Sequence, residues 1–350
     1  MNESMIYING RFLTQPMTGV NRFAYELTRA LIYQGVDVIV VCPKNELVPD
    51  YDTSGFRIIK YGFGSSHVWE QISFPFFFLD KSDYLLLNFT GAGPVAILNK
   101  IITIHDLAFL ENPSWYSKSY VMLYKFLTPL SAKTSKRILT VSEFSKKEII
   151  NKLGVDGEKI KVIYNAATIC NKEDKSILGK VPESFLLAVS SIDPKKNLGR
   201  LVSVFSKLPD FNLVVVGGWR KTFGEVNVSS IGKNVLFLGR VSDAELTSLY
   251  KKATAFVFPS LYEGFGIPPI EAMSYGCPVV ASDIEVMHEV CGESAIYVNP
   301  TDEDDIRDKI LQISNKPLLL STLCRKGHEN IKRFSWEKSA QELVNLIRQL

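Results

Sequence analysis

Short apolar runs separated by polar, helically periodic stretches set the rhythm of this chain. Met5–Ile8, Val36–Cys42, Asp83–Leu87, Lys100–Ile104 and Lys161–Tyr164 read as strands in the first half. Phe185–Val189, Leu213–Val216, Val235–Leu238, Ala255–Phe258 and Pro278–Ala281 do so in the second. Between them apolar residues recur at helical spacing, as at Phe23, Leu27, Ala30 and Leu31 within Arg22–Tyr33. Glu143–Lys152, the stretch from Leu198 to Leu208, and Trp336–Leu350 read as helices too. The punctuation agrees. Gly35 and Gly154 suit helix ends, Ser142 a helix start, and Ser242 with Glu245 and Ser282 with Glu285 have capping-box spacing. Strands alternating with helices predict parallel sheets in an α/β fold.

The alternation breaks at residues 169–182, which are polar, aperiodic and end in Pro182. An interdomain linker fits there, between a first domain over 1–168 and a second over 183–334, with a last helix over 335–350. A chain of 350 residues suits two domains, because single cores seldom grow past ~250–300 residues.

Composition changes this picture little. Hydrophobic residues make up 46% and charged residues 22%, as in soluble globular proteins, and a net charge of +3 gives no reason to expect a nucleic-acid partner. The five cysteines are scattered without a Cys-x-x-Cys pair, so reduced thiols and a cytoplasmic setting are expected. No basic segment precedes the first strand, so no signal peptide is expected. The most apolar stretch, Ile72–Leu79, is far short of the ~20 residues of a membrane helix. Residues 114–137 interleave aromatic residues with Lys118, Lys125, Lys133, Lys136 and Arg137. That pattern suits an interfacial membrane helix or a core helix with a solvated basic face, and base rates favour the second.

The chemistry concentrates in residues 259–282. Beyond the strand Ala255–Phe258 comes a loop with Glu263, Gly264 and Gly266. Pro268 and Pro269 then mark a helix start, and Gly276 marks its stop. Glu263 therefore falls in a loop past a strand end and Glu271 in the first turn of the next helix, where open α/β sheets bind ligands. Glycines allow close backbone approach, a helix N-terminus attracts anions, and carboxylates accept bonds from hydroxyls. Together they suit a hydroxyl-rich, phosphorylated ligand. The plain alternative is a helix-capping Glu271 and a surface Glu263, against which the intervening glycines and prolines weigh. His105 lies just past a strand end, beside Asp106, and Lys195 and Lys196 occupy a strand–loop–helix junction suited to a diphosphate. Asp302-Glu303-Asp304 has a spacing that can hold a divalent ion, but its place before a helix favours an acidic first turn. No Ser/His/Asp set, Cys/His set or metal-ligand cluster emerges, so no metal is expected.

Glu263 and Glu271, eight positions apart around Gly264-Phe265-Gly266, resemble the signature of retaining, nucleotide-sugar-dependent glycosyltransferases of family 4. Pro259-Ser260 and Pro278-Val279-Val280-Ala281-Ser282 resemble that family too, as do Ile104-His105-Asp106-Leu107 and Asp193-Pro194-Lys195-Lys196-Asn197. The resemblance implies the GT-B fold, two Rossmann-like doubly wound domains facing a central cleft, with a C-terminal helix that crosses back to the first. It implies that Lys196 meets the donor diphosphate and that Glu263 and the backbone of Gly264, Phe265 and Gly266 hold the sugar. Glu271 would bind the ribose, Val241 border the base, and His105 touch the sugar, with Asp106 orienting its loop. Gly19, in Thr18-Gly19-Val20-Asn21-Arg22, fits the first glycine of a Gly-x-Gly turn, where Asn21 departs from the second. Ser190 and Ser191 stand where the family often carries arginine, and Arg220 is the candidate substitute.

The implied reaction is retaining, metal-independent hexosyl transfer to a saccharide acceptor, expected to be a lipid-linked oligosaccharide in O-antigen or capsule synthesis. GDP-mannose is the favoured co-substrate and dTDP-rhamnose the next, with no other cofactor. The implied location is cytoplasmic, peripheral at the inner face of the membrane. Competing readings are a sugar-nucleotide epimerase of the same fold and a non-catalytic subunit of a biosynthetic complex.

Overall fold

The computed structural model describes residues 5–190, 193–218, 232–314 and 316–350. It divides into two units. The first comprises Met1–Asn165 and Phe334–Leu350, the second Ala166–Arg333.

Unit 1 is built on seven parallel strands: β1 Met5–Asn9, β2 Val38–Cys42, β3 Arg57–Lys60, β4 Tyr84–Asn88, β5 Lys100–Thr103, β6 Arg137–Thr140 and β7 Ile160–Val162. Their order is β3-β2-β1-β4-β5-β6-β7. The winding reverses between β1 and β4, which opens a crevice at their carboxyl ends. Both strands are near-continuous apolar runs, as sheets covered on both faces require, and each closes on a buried asparagine, Asn9 or Asn88. The first crossover helix, Gly19–Tyr33, is capped by Thr18, whose side chain accepts from the Asn21 N–H at 3.3 Å. The motif expected as a loop at 18–22 is thus already helical, and Asn21 adopts no left-handed turn; its amide donates to the Pro16 carbonyl at 2.9 Å. The last helix, Trp336–Ile347, belongs to this unit: Trp336 meets the Phe23 ring edge-on at 6.0 Å and the Ser339 hydroxyl donates to the Tyr164 carbonyl at 2.7 Å.

Unit 2 has six parallel strands: β8 Leu186–Val189, β9 Leu213–Val216, β10 Val235–Gly239, β11 Ala255–Phe258, β12 Val279–Ser282 and β13 Ala295–Val298. The order β10-β9-β8-β11-β12-β13 reverses between β8 and β11. Leu201 and Phe205 of the helix Leu198–Ser206 and Ile306 and Ile310 of Glu303–Ser314 pack on Leu213, Val215 and Val257 of the sheet.

One capping expectation changes and another holds. Ser282 does not cap a helix. Its hydroxyl donates to the Ser260 carbonyl at 2.6 Å, and the helix Glu285–Cys291 starts from Ile284. Asp302 does cap one, accepting from the N–H groups of Asp304 and Asp305. The apolar pattern gives no strand at 57–60, where β3 forms an exposed sheet edge from only two apolar residues.

Lys100 opens β5 fully buried, its amine donating to the Ile97 carbonyl at 2.6 Å and to the Thr134 hydroxyl at 2.7 Å. Burial, with a contribution from the Lys159 charge, pushes its pKa down to about 7. A neutral amine satisfies both acceptors without a buried charge. Between pH 7 and the ordinary lysine range the unfolded chain therefore binds a proton that the folded chain does not, so stability rises with pH across that window, by up to a few kcal/mol. Denaturant unfolding from pH 7 to 10 should show that rise, and Lys100→Met should flatten it. An unchanged slope in the variant would refute the assignment.

Candidate functional site

At the switch point of unit 2, two loops are tied into one construction. After β8, the Asp193 carboxylate accepts from the Lys195 N–H at 3.0 Å and starts the 3-10 turn Pro194–Lys196. Asn197 follows in the left-handed region, at φ +58°, a conformation asparagine tolerates better than most residues. Its amide donates to the Pro259 carbonyl at 3.0 Å, beyond β11, and to the Pro300 carbonyl at 2.6 Å, beyond β13. The Leu261 N–H donates to the Lys195 carbonyl at 2.7 Å.

This lattice brings Lys196 against Glu263, Nζ to Oε1 at 2.6 Å, with only 16% and 8% of their side chains exposed. The ammonium also lies 5.1 Å from the centroid of the Phe258 ring. Two residues with separate expected partners, a diphosphate and a sugar, thus neutralise each other. The loop then passes the buried Phe265 to Gly266, at φ +97°, which precedes the helix Ile267–Ser274. The positive φ is what calls for glycine here; a Cβ would also lie 2.4 Å from the Met287 methyl, the end of a flexible side chain that would have to shift.

Glu271 lies in the second turn of that helix, a correction to the expected first turn, and so does not cap it. Its Oε2 accepts from the Tyr250 hydroxyl at 3.5 Å. Burial, reinforced by the Glu271 charge, raises the Tyr250 phenol well above its ordinary range and keeps it a donor. Val241 follows β10, just before the capping box of Ser242 and Glu245. Arg220 lies outside the described residues.

The remaining expected site residues belong to unit 1. Gly19 is the exposed first residue of its helix. His105 lies two residues past β5, half-buried, with Nε2 donating to the Phe89 carbonyl at 2.8 Å and the ring edge-on to Phe23 at 5.0 Å. Burial lowers its pKa, so the ring is neutral, with Nε2 protonated and Nδ1 an acceptor. Asp106 accepts from the Ala108 N–H at 3.1 Å and orients the loop.

The motif reading passes over a buried polar cluster at the switch point of unit 1, formed by Asn9, Arg11, Glu70 and Asn88. The signal available for it is an asparagine closing each of two apolar strands. The aromatic-basic stretch forms the helix Lys118–Thr134. Met122 and Phe126 are 73% and 66% exposed, and with Pro113, Lys118, Val121 and Lys125 they line an open groove of about 460 Å³. Its outer face is therefore mixed apolar and basic, not merely a solvated basic face. Among the described residues no helix is long and apolar enough to cross a membrane, and no group of three or more His, Cys, Asp and Glu could hold a metal ion.

Residues 171–348 match the family described as glycosyl transferases group 1, and residues 17–168 the family described as glycosyltransferase family 4. The O-antigen chain mannosyltransferase RfbU of Salmonella typhimurium is 37% identical over 256 residues, covering 71% of this chain and 69% of that protein. The O-antigen chain mannosyltransferase B of Escherichia coli is 27% identical, covering 96% of this chain and 97% of that one. Among solved structures, sucrose-phosphate synthase from Thermosynechococcus elongatus superimposes with a TM-score of 0.78 at 19% identity over 99% of both chains, a likeness of fold.

Backbone geometry at Gly266 gives a paired test. Gly266→Ala should cost about 1–3 kcal/mol in urea unfolding. Gly199→Ala, within the helix Leu198–Ser206 and with no atom within 4 Å of the added methyl, should be neutral or stabilising by roughly 0.5–1 kcal/mol. Equal effects would refute the role given to the loop.

Proposed function

The chain belongs to the group 1 glycosyl transferases, with a family 4 module in its first half and the GT-B fold, and on that premise we propose that it transfers mannose with retention from GDP-mannose to a saccharide acceptor. The observation that carries this reading is the Lys196–Glu263 pair at the switch point of unit 2, beside the glycine-led start of a helix. The choice of mannose rests on the two O-antigen mannosyltransferases to which the chain is similar, and leaves rhamnose second.

In this reading the donor diphosphate replaces Glu263 as the partner of Lys196. The released carboxylate then accepts bonds from sugar hydroxyls, while Glu271, held by Tyr250, takes those of the ribose. As the bond between the anomeric carbon and the phosphate oxygen breaks, negative charge grows on the diphosphate. Lys196 and backbone N–H groups near Gly266 stabilise it, with no metal ion needed. The acceptor oxygen bonds to the anomeric carbon on the face the diphosphate leaves, and its proton passes to the departing diphosphate. The lipid-linked character of the acceptor is supported by the mixed apolar and basic face of the helix Lys118–Thr134, which suits an anionic membrane surface.

Thermal-shift titration in EDTA tests the donor half. GDP-mannose should raise the melting temperature of the wild type, and Glu271→Ala and Lys196→Ala should weaken its apparent affinity at least ten-fold. If none of the GDP-, UDP-, dTDP- and ADP-sugars stabilises the wild type, the reading fails. For the membrane half, the Lys118→Glu/Lys125→Glu double variant should sediment less than the wild type with anionic liposomes. Undiminished sedimentation would remove that contact.

A further inference from the structure

Unit 1 has its own crevice, where the winding reverses between β1 and β4, and it is chemically furnished. Asn9, the last residue of β1, uses its whole side chain. Its Oδ1 accepts from the Arg11 N–H at 3.1 Å, and its Nδ2 donates to Glu70 Oε1 at 2.7 Å and to Asn88 Oδ1 at 2.6 Å. Arg11 and Glu70, both buried, pair at 3.1 Å; burial pushes the Glu70 carboxyl up, but the Arg11 charge together with His67 and the bond from Asn9 holds it below its ordinary range. Such a pair is expensive to bury, so its presence away from water calls for a reason other than stability.

The geometry of the next group supplies one. His67 Nδ1 lies 3.1 Å from Arg11 Nη1 and 3.4 Å from Glu70 Oε2, and its Nε2 lies 3.1 Å from the Tyr124 hydroxyl, so the ring joins the buried pair to the tyrosine. The His67 side chain is 29% exposed, at the mouth of a cluster whose other members are buried. Its backbone is specialised too. Ser66, just before it, has φ +52°, and Trp69–Ser73 forms a π-helical turn, a distortion frequent at functional sites. Arg11 Nε and the Thr90 hydroxyl are buried and without a hydrogen-bond partner, two polar atoms at the same crevice left for a ligand or a water to satisfy.

Tyr124 is one end of a ladder. Tyr116 stacks on Tyr120 at 5.0 Å and Tyr120 on Tyr124 at 4.3 Å, so that phenol groups follow one another along the helix Lys118–Thr134. Burial, reinforced by the neighbouring Tyr124, Tyr116 and Asp106, raises the Tyr120 phenol well above its ordinary range and keeps it protonated. Arg11 and Glu70 cancel each other, so the crevice offers hydroxyls, an imidazole and aromatic edges with no net charge from the pair. That combination suits an uncharged polyol better than a phosphate.

We propose that His67, Tyr120 and Tyr124, positioned by the buried Arg11–Glu70 pair, bind the hydroxyls of a neutral pyranose of the acceptor. The assignment of that pyranose to the acceptor rests on the glycosyl-transfer reading, but its binding to this crevice can be measured without turnover. Saturation-transfer NMR with methyl glycosides of mannose, rhamnose, galactose, glucose and N-acetylglucosamine, in the absence of any nucleotide, should show transfer from the full-length wild type to at least one sugar. The signal should fall at least five-fold in His67→Ala and in Tyr120→Phe. The second variant keeps the stacked ring of a residue that is 38% exposed, so its melting temperature should lie close to that of the wild type. No transfer to any of the sugars, or undiminished transfer in Tyr120→Phe, overturns the proposal. Stabilisation by GDP-mannose reports on unit 2 separately, so failure of either experiment identifies which of the two readings has failed. In a transfer assay Tyr120→Phe should raise KM for the saccharide at least ten-fold and leave KM for the nucleotide sugar unchanged. A purely structural role would lower kcat without that split.

Discussion

One side chain holds the site of unit 2 together. Asn197 spends both amide hydrogens on carbonyls from two other strand ends, Pro259 after β11 and Pro300 after β13, while its own loop leaves β8. Three crossover connections, far apart in the chain, are thereby referred to a single residue. The left-handed backbone is what turns the amide back toward the sheet edge. Without that tie, Lys196 would be a flexible cation on a short turn. With it, the ammonium sits on Phe258 and reaches Glu263 at hydrogen-bond length. The positioning of charge in this unit follows from a neutral group.

Both sheets place polar chemistry where their winding reverses, by different means. Unit 2 pairs its cation and carboxylate directly, Lys196 on Glu263, on loops at the sheet edge with 16% and 8% of their side chains exposed. Unit 1 buries Arg11 and Glu70 and shows only His67 and the tyrosine edges. A buried ion pair resists rearrangement because each partner left alone would be an uncompensated charge. The first arrangement suits a ligand that brings its own charge, the second a ligand that brings only hydroxyls.

Much of the architecture is legible in the chain itself. Buried parallel strands read as apolar runs, and caps such as Ser142, Ser242 and Ser335 state their helices locally. β3 escapes because an exposed edge strand needs little apolar surface. The glycine of the site, Gly266, is legible because a positive φ leaves few alternatives. Ser282 misleads because its capping spacing is genuine, while a tertiary carbonyl, that of Ser260, competes for the hydroxyl and wins. Glu271 slips by a turn because the helix begins at Ile267, before the prolines. The cluster around Glu70 leaves only the asparagines that close two apolar strands as a trace, since its partners stand some sixty and eighty positions apart along the chain and no local pattern couples them.

The place of the last helix bears on how the protein comes into being. Trp336–Ile347 packs on the first crossover helix of unit 1 through Phe23, yet unit 2 lies between them in the chain. During synthesis the first 165 residues therefore emerge without one of their packing layers, and wait on the order of tens of seconds while unit 2 is made. Unit 2, contiguous in sequence, has all its strands before that layer arrives. Unit 1 begins before unit 2 and is completed after it, with the helix face around Phe23 uncovered for the interval.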